Sequence, residues 1–312
     1  MQKIRISLLS IIFVICLCIN ANAYVLRLQW TPQAQFAGYY MAAEQGFYKD
    51  LGLDIIIEAG GPGIFGLREL VDKKMDFATS WLVSAVRIKA NGVNLVHIGQ
   101  VFQKSALMLI AKKSSKIDSI QKFSGHSLGV WPGDFQLLPK ALLRKNRIKN
   151  VKVINQDFSM EPFIKGEIDI ASAMRYNEYH QVLESGIKPD ELIVFDYAQL
   201  EMNLPEDGIY VHEDFFKQNK EVCKKFVQAS FKGWKYAFEH KDETVKFITD
   251  MANKTPFKST EKKQRIMLDE VEKLIDLNDS KLKEKDFQTA NEILKTSRII
   301  KKDVSYKEFT GN

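Results

Sequence analysis

Three of the four tryptophans, Trp30, Trp81 and Trp131, fall where short apolar runs give out, and Tyr176 falls at the end of another. Rings at strand ends offer flat stacking surfaces, each worth about 0.5–1.5 kcal/mol beyond plain burial. Together they point to a planar ligand. For any one of them taken alone, core packing is the competing reading. Two acids, Asp134 and Glu178, stand at the same rim. A carboxylate accepts two parallel N–H bonds from an amino-substituted heterocycle, at about 1.5–3 kcal/mol for each charge-assisted bond. Both acids also sit where helices are expected to start, so capping of a helix dipole is the alternative role for each. Gly61 and Gly63, in the run Gly60 to Gly63, supply backbone N–H groups at an expected helix start, which suits an anion or a carbonyl oxygen. Gln33, Ser80 and Asn177 complete the polar candidates at these strand ends.

The other reactive side chains do not assemble a catalyst on paper. Five histidines are scattered and form no His-Glu-x-x-His pair. Cys223 is the one cysteine outside the first 23 residues, and its helical surroundings give it a packing role. No metal, no cofactor and no enzymatic activity are expected. Lysines around Lys262 and Lys263 and from Lys281 to Lys285 alternate with acids such as Glu261 and Glu284. That pattern is a solvated helix face, and no nucleic-acid partner is expected.

The elements that must hold the aromatic set follow from periodicity. Leu26, Leu28 and Trp30 share one face of a first strand, and a helix is expected from Phe36 to Gln45, closed by Gly46. Strands follow at Asp54 to Ala59, Phe77 to Ser80 and Leu95 to Gln100, with a helix from Ile64 to Lys74. A second set reads Leu107 to Ala111, Ser127 to Val130, Val151 to Ile154, Ile168 to Ala171 and Leu192 to Phe195. This βαβ alternation implies largely parallel sheets covered by helices, with ligands beyond the carboxyl ends of the strands. The run Met75 to Ser80 (MDFATS) resembles Ile168 to Ala173 (IDIASA), so the two sets are expected to form similarly built lobes.

The C-terminal third is helical. Val227, Phe231, Trp234 and Phe238 keep a helical rhythm, as do Met267, Val271, Leu274 and Ile275. With no further strand set, these helices are expected to pack back on the first lobe. The division is then 24–102 plus 211–312 for one lobe and 103–210 for the other, with crossings near Phe102 and from Leu204 to Tyr210. Two crossings make a hinge.

Residues 1–23 read as a cleavable signal peptide: Lys3 and Arg5, an apolar run from Ile6 to Ile19, and Ala21-Asn22-Ala23. The run is short for a bilayer span. Ile15 before Cys16 and Leu17 before Cys18 do not suit a lipid anchor. Cleavage would leave about 289 residues, enough for two α/β domains, and lower the formal charge from +6 to +4.

The string LQWTPQAQFAGYYMAAEQGFYKDLGLDIIIEA from Leu28 to Ala59, followed by GGPGI, resembles the N-terminal region of bacterial solute-binding proteins related to the yeast thiamine-pyrimidine synthase. The likeness continues through MDFATSW, VWPGDF and MRYNEY and covers the chain up to about Gly233. It implies an α/β type II periplasmic-binding-protein fold: a monomer in the periplasm that takes up a small molecule and reaches the membrane only through an ABC permease and its ATPase. Members of this family bind formylaminopyrimidine thiamine precursors, and relatives bind riboflavin precursors, sulfonates, taurine or nitrate. By the same resemblance, Trp30 and Tyr176 sandwich a pyrimidine and Glu178 bonds its amino groups, with Tyr39, inside the first string, added to the candidates. The turn at Trp131 to Phe135 looks like one that holds a phosphate in the synthases, but Gln136 stands where a second glycine is usual. The cysteine-rich motif of the synthases has no counterpart here.

Overall fold

The computed structural model describes residues 23–311, so the expected signal peptide lies almost wholly outside the described residues. Strands form at β1 Tyr24–Arg27, β2 Ile55–Glu58, β3 Phe77–Trp81, β4 Leu95–Gln100, β5 Leu107–Lys112, β6 Ser127–Val130, β7 Lys152–Asn155, β8 Ile170–Met174, β9 Leu192–Asp196 and β10 Asp207–His212. They build two five-stranded sheets, ordered β2-β1-β3-β10-β4 and β7-β6-β8-β5-β9. Central β3 and β8 read as unbroken buried runs, as strands covered on both faces must.

The sheets match position for position. In each, three strands run parallel, and the strand beyond them, β10 or β5, is antiparallel to both its neighbours. The sheets are therefore mixed rather than largely parallel. The short internal likeness has a structural counterpart. Asp76 Oδ2 accepts Val25 N–H at 2.8 Å, and Asp169 Oδ2 accepts Ser127 N–H at 2.8 Å. Each aspartate closes the free backbone N–H at the start of the strand beside its own, a group that would otherwise lack a partner. Thr79 and Ser172, three residues on, both bond backbone of the neighbouring chain segment.

Three further expectations need correction. Asp207 to Tyr210, read as part of a crossing, is strand: Asp207 pairs with Trp81, Gly208 with Ser80 and Ile209 with Gly99. The second crossing therefore ends near Glu206, and a lobe boundary at 210 would split β10 between the lobes. The helix expected over Ile64 to Lys74 covers only Gly66–Val71. Leu274 and Ile275 likewise lie beyond a helix that ends at Glu272.

The C-terminal helices pack on elements of the first sheet's side. Lys220–Glu239 packs along Ala37–Glu44, and Glu284–Thr296 packs on Leu82–Ala90. The first pair meets through glycines: a Cβ on Gly233 would stand 2.1 Å from the Gly38 carbonyl oxygen, and one on Gly38 would strike the Trp234 ring. Trp234 and Phe226 on the long helix are fully buried. Cys223 lies buried on the same helix, its thiol pushed by desolvation up to about 12.

The two crossings are bonded to one another. Phe102 N–H donates to Asp207 O at 3.1 Å and Glu206 N–H donates to Phe102 O at 3.1 Å. Glu206 Oε1 accepts Ser105 Oγ–H at 2.7 Å and the N–H groups of Ala106 and Leu107 at 2.8 and 3.1 Å. Its Oε2 is buried without a partner. A carboxyl with one oxygen fully bonded and the other dry holds its proton easily.

Candidate ligand site between the lobes

The strand ends of both lobes converge on a pair of adjoining cavities. The inner one is about 40 Å³. The first lobe brings Gln29, Trp30, Gln33, Gln35 and Trp81 to it; the second brings Trp131, Phe135, Met174, Tyr176, Asn177 and Glu178. The outer cavity, about 540 Å³, runs from Gly61 and Gly63 past Ser80, Arg87, Asp134 and Phe158. Gln29, Trp30, Trp131 and Phe135 line both.

Local structure explains these placements. Trp30 lies three residues beyond the end of β1, and its carbonyl is fixed by Gly60 N–H at 2.9 Å. Only glycine fits at position 60, since a Cβ there would lie 2.2 Å from the Leu28 carbonyl oxygen. Trp81 ends β3 and is buried. Gln29 and Gln35 both donate through Nε2 to Asp207 at the head of β10, the second at 2.8 Å. Gln33 donates to Gln35 at 2.6 Å. A polar floor thus underlies the rings.

The rings around the cavities meet one another mostly edge to face. Trp30 contacts Phe135 at 5.4 Å, edge to face, and Phe158 at 5.4 Å, tilted. Tyr176 meets Phe102 at 6.3 Å. Phe135 also stands edge-on to Trp81 at 4.8 Å and to Trp131 at 6.4 Å. The two residues proposed as the sandwich share the inner cavity, with Phe135 from the second lobe reaching into the same group.

Both acids lie in the first turn of a helix, as the dipole alternative has it, and both also bond elsewhere. Glu178 opens the helix Glu178–Glu184, but its Oε2 accepts the preceding Met174 N–H at 3.0 Å and its Oε1 accepts Asn177 Nδ2–H at 2.8 Å. Each oxygen keeps a lone pair for a further donor. Burial drives this carboxyl up to about 6, against the pull of Met174 N–H and of the Lys263 charge. Asp134 lines the outer cavity, but Arg87 Nη2 from the first lobe takes both its oxygens at 2.6 and 2.8 Å. It is a tie between lobes.

Gly61 and Gly63 line the outer cavity in a loop, because the helix that follows begins only at Gly66. Tyr39 lies in neither lining. It faces inward against Trp234 at 6.1 Å and is 1% exposed, because the helix carrying it packs between the first sheet and the long C-terminal helix.

Beneath the cavities lies a pair of buried acids. Desolvation pushes Glu206 up to about 8 and Asp207 up to about 7, the Gln35 and Gln29 amides holding the latter down. Among the described residues no group of three or more His, Cys, Asp or Glu side chains could hold a metal. The arginines of the outer cavity are already paired: Arg87 with Asp134, and Arg68 with Asp72 at 3.4 Å.

Sequence reading missed Phe158 and Arg87 and named Phe135 only as the last residue of the Trp131 to Phe135 turn. Phe158 was accessible by the rule that found the others, since it follows the end of β7. Arg87 had no such signal, because it lies on the second turn of the helix Leu82–Ala90 and reaches the site across the lobe gap.

Comparison with known proteins agrees with this architecture. Residues 33–244 match the family model described as NMT1/THI5 like. Riboflavin-binding protein RibY of Chloroflexus aurantiacus is 25% identical over 226 residues, 70% of this chain and 63% of its own length. This chain therefore spans less than two thirds of that relative. Putative binding protein YtlA of Bacillus subtilis is 24% identical over 239 residues, 72% of this chain and 68% of its own. Among solved structures, the periplasmic aliphatic sulphonate binding protein SsuA of Escherichia coli superimposes with a TM-score of 0.70 at 14% identity, covering 92% of each chain. The fold is thus that of the periplasmic binding proteins, two hinged lobes with a cleft between, and the chain belongs to the NMT1/THI5-like family.

Proposed function

We propose that this protein is an extracytoplasmic solute-binding protein that closes its lobes on a small planar nitrogen heterocycle and delivers it to an ABC permease and its ATPase. It binds and releases rather than turns over, and it acts as a monomer. The ligand is of the formylaminopyrimidine type, a thiamine precursor.

The observation that carries this reading is the make-up of the inner cavity: indole and phenol rings from both lobes around one carboxylate, Glu178, with acceptor capacity to spare. A flat ring with an amino edge satisfies both features. Arg87, the partly buried arginine of the cleft, is already engaged by both oxygens of Asp134, which leaves it less free for a sulfonate or nitrate. A riboflavin precursor is the second reading, favoured by the roomy outer cavity and by the name of one relative.

Calorimetry with formylaminopyrimidine, a flavin precursor and taurine tests the proposal. Binding of a heterocycle without taurine is the expected result. Binding of taurine alone would reject it.

A further inference from the structure

The way an amide side chain faces is set by its partners, because its oxygen only accepts and its nitrogen only donates. Three buried glutamines that line the inner cavity are ordered in this way by one carboxylate. Gln35 turns Nε2 to Asp207 Oδ2 at 2.8 Å, so its Oε1 points the other way. That oxygen takes Gln33 Nε2–H at 2.6 Å. Gln29 gives its own Nε2–H to Asp207 Oδ1.

Both Gln29 and Gln33 therefore have their nitrogens engaged by the floor. Among the described residues neither Oε1 accepts a bond, so each oxygen end is left to the cavity. Asn177 on the facing lobe is engaged at both ends, giving Nδ2–H to Glu178 Oε1 at 2.8 Å and taking Gln181 Nε2–H at 3.1 Å. What the amides and the acid hold open to a ligand is thus a set of acceptors: Gln29 Oε1, Gln33 Oε1 and Glu178. Asp207 itself lies outside both cavity linings, 1% exposed, with its backbone paired to Trp81 in the sheet.

We propose that Asp207 is a specificity-determining positioning residue: by accepting from two glutamines at once it turns their relay oxygen-outward, so the site takes a ring edge that donates N–H and rejects one bearing a carbonyl there. This rests on the heterocycle reading above and adds the residue that decides which edge is accepted. An asparagine at 207 keeps the shape but replaces one acceptor by an N–H donor. The glutamine facing that donor must turn its oxygen to it. If that is Gln29, its Nε2 then faces the cavity. If it is Gln35, its Nε2 meets Gln33, which turns in the same way. Either route exchanges one acceptor of the cavity for a donor.

The test compares 4-amino-2-methylpyrimidine with 2-methylpyrimidin-4-one, which carries a carbonyl in place of the amino group. Calorimetry is run on the wild type, Asp207→Asn and Gln35→Met at pH 8, above the value of about 7 to which burial pushes the Asp207 carboxyl. The wild type should bind the amino probe about a hundredfold more tightly, since a carbonyl oxygen would face acceptors. Asp207→Asn should narrow that preference by about tenfold, with an outright gain in affinity for the carbonyl probe that loosened packing would not produce. Gln35→Met frees Gln33 to turn and should narrow the preference by about threefold. Thermal melts check that both variants are folded, and Gln35→Met carries the test alone if Asp207→Asn is not. If the amino probe binds and its preference is unchanged in the folded variants, the role of Asp207 is overturned and the heterocycle reading stands. If the wild type binds neither probe, both ideas fall.

Discussion

Arg87 of the first lobe holds both carboxylate oxygens of Asp134 in the second through one nitrogen, Nη2, at 2.6 and 2.8 Å. Each side chain is a little over a quarter exposed, so the pair contributes modestly, about 0.5–1 kcal/mol. It forms only when the lobes meet. Arg87→Ala and Asp134→Ala should each weaken ligand binding about two- to fivefold. The double variant should be no weaker than either single one, since both remove the same contact. Losses that add would show the two residues acting separately.

Glu178 carries the pH dependence of recognition. Its carboxyl, raised by burial to about 6, is ionised at neutral pH and accepts charge-assisted bonds through both oxygens only in that form. Affinity for an amino-bearing ring should fall about tenfold per unit as pH drops below 6. Glu178→Gln should bind about tenfold more weakly at pH 7.5 and show no such decline. A parallel decline in the variant would remove Glu178 from the site.

Glu206 and Asp207 act on stability in the opposite sense. Their folded-state carboxyls are raised by burial to about 8 and about 7, so the protonated form is favoured by folding. That contribution is complete below the ordinary carboxylate range and is lost as pH rises through the folded values. Between pH 5 and 8 the wild type should lose stability relative to Glu206→Gln by about 1.4 kcal/mol per pH unit, near 3 °C in Tm. Melting curves with equal pH slopes would contradict the assignment.

Much of this architecture was legible in residue pattern alone. Nine strands follow from alternation and β-branched runs, and the Asp76 and Asp169 positions betray the duplicated sheet design. β10 was not legible as strand, because Asp207 and Gly208 are poor strand formers in isolation. Pairing on both sides overrides that preference. Within the site, the strand-end rule located Trp30, Trp81, Trp131, Tyr176 and Glu178. It could not reveal that Phe135 crosses to the opposite lobe or that Tyr39 faces inward, since both depend on helix and lobe packing. The pairing of Asp134 with Arg87 is equally a property of two distant segments brought together.

Gly233 tests the frame that carries the first lobe. A methyl there would stand 2.1 Å from the Gly38 carbonyl oxygen and 2.6 Å from the Ala42 Cβ. Gly233→Ala should cost about 3 kcal/mol or more in stability, by forcing two packed helices apart. Gly166→Ala, where φ is +82° and nothing lies within 4 Å, should cost only about 1 kcal/mol, from backbone conformation alone. Denaturant titration separates the two. Equal small losses would mean that the helix pair can relax.

The most direct measurement of the central claim is native mass spectrometry of the full-length protein purified without dialysis, with the released small molecule identified by its fragmentation. A planar nitrogen heterocycle, lost on Glu178→Gln and Trp30→Ala, is the predicted result. A sulfonate or another non-planar anion, retained by both variants, would contradict it.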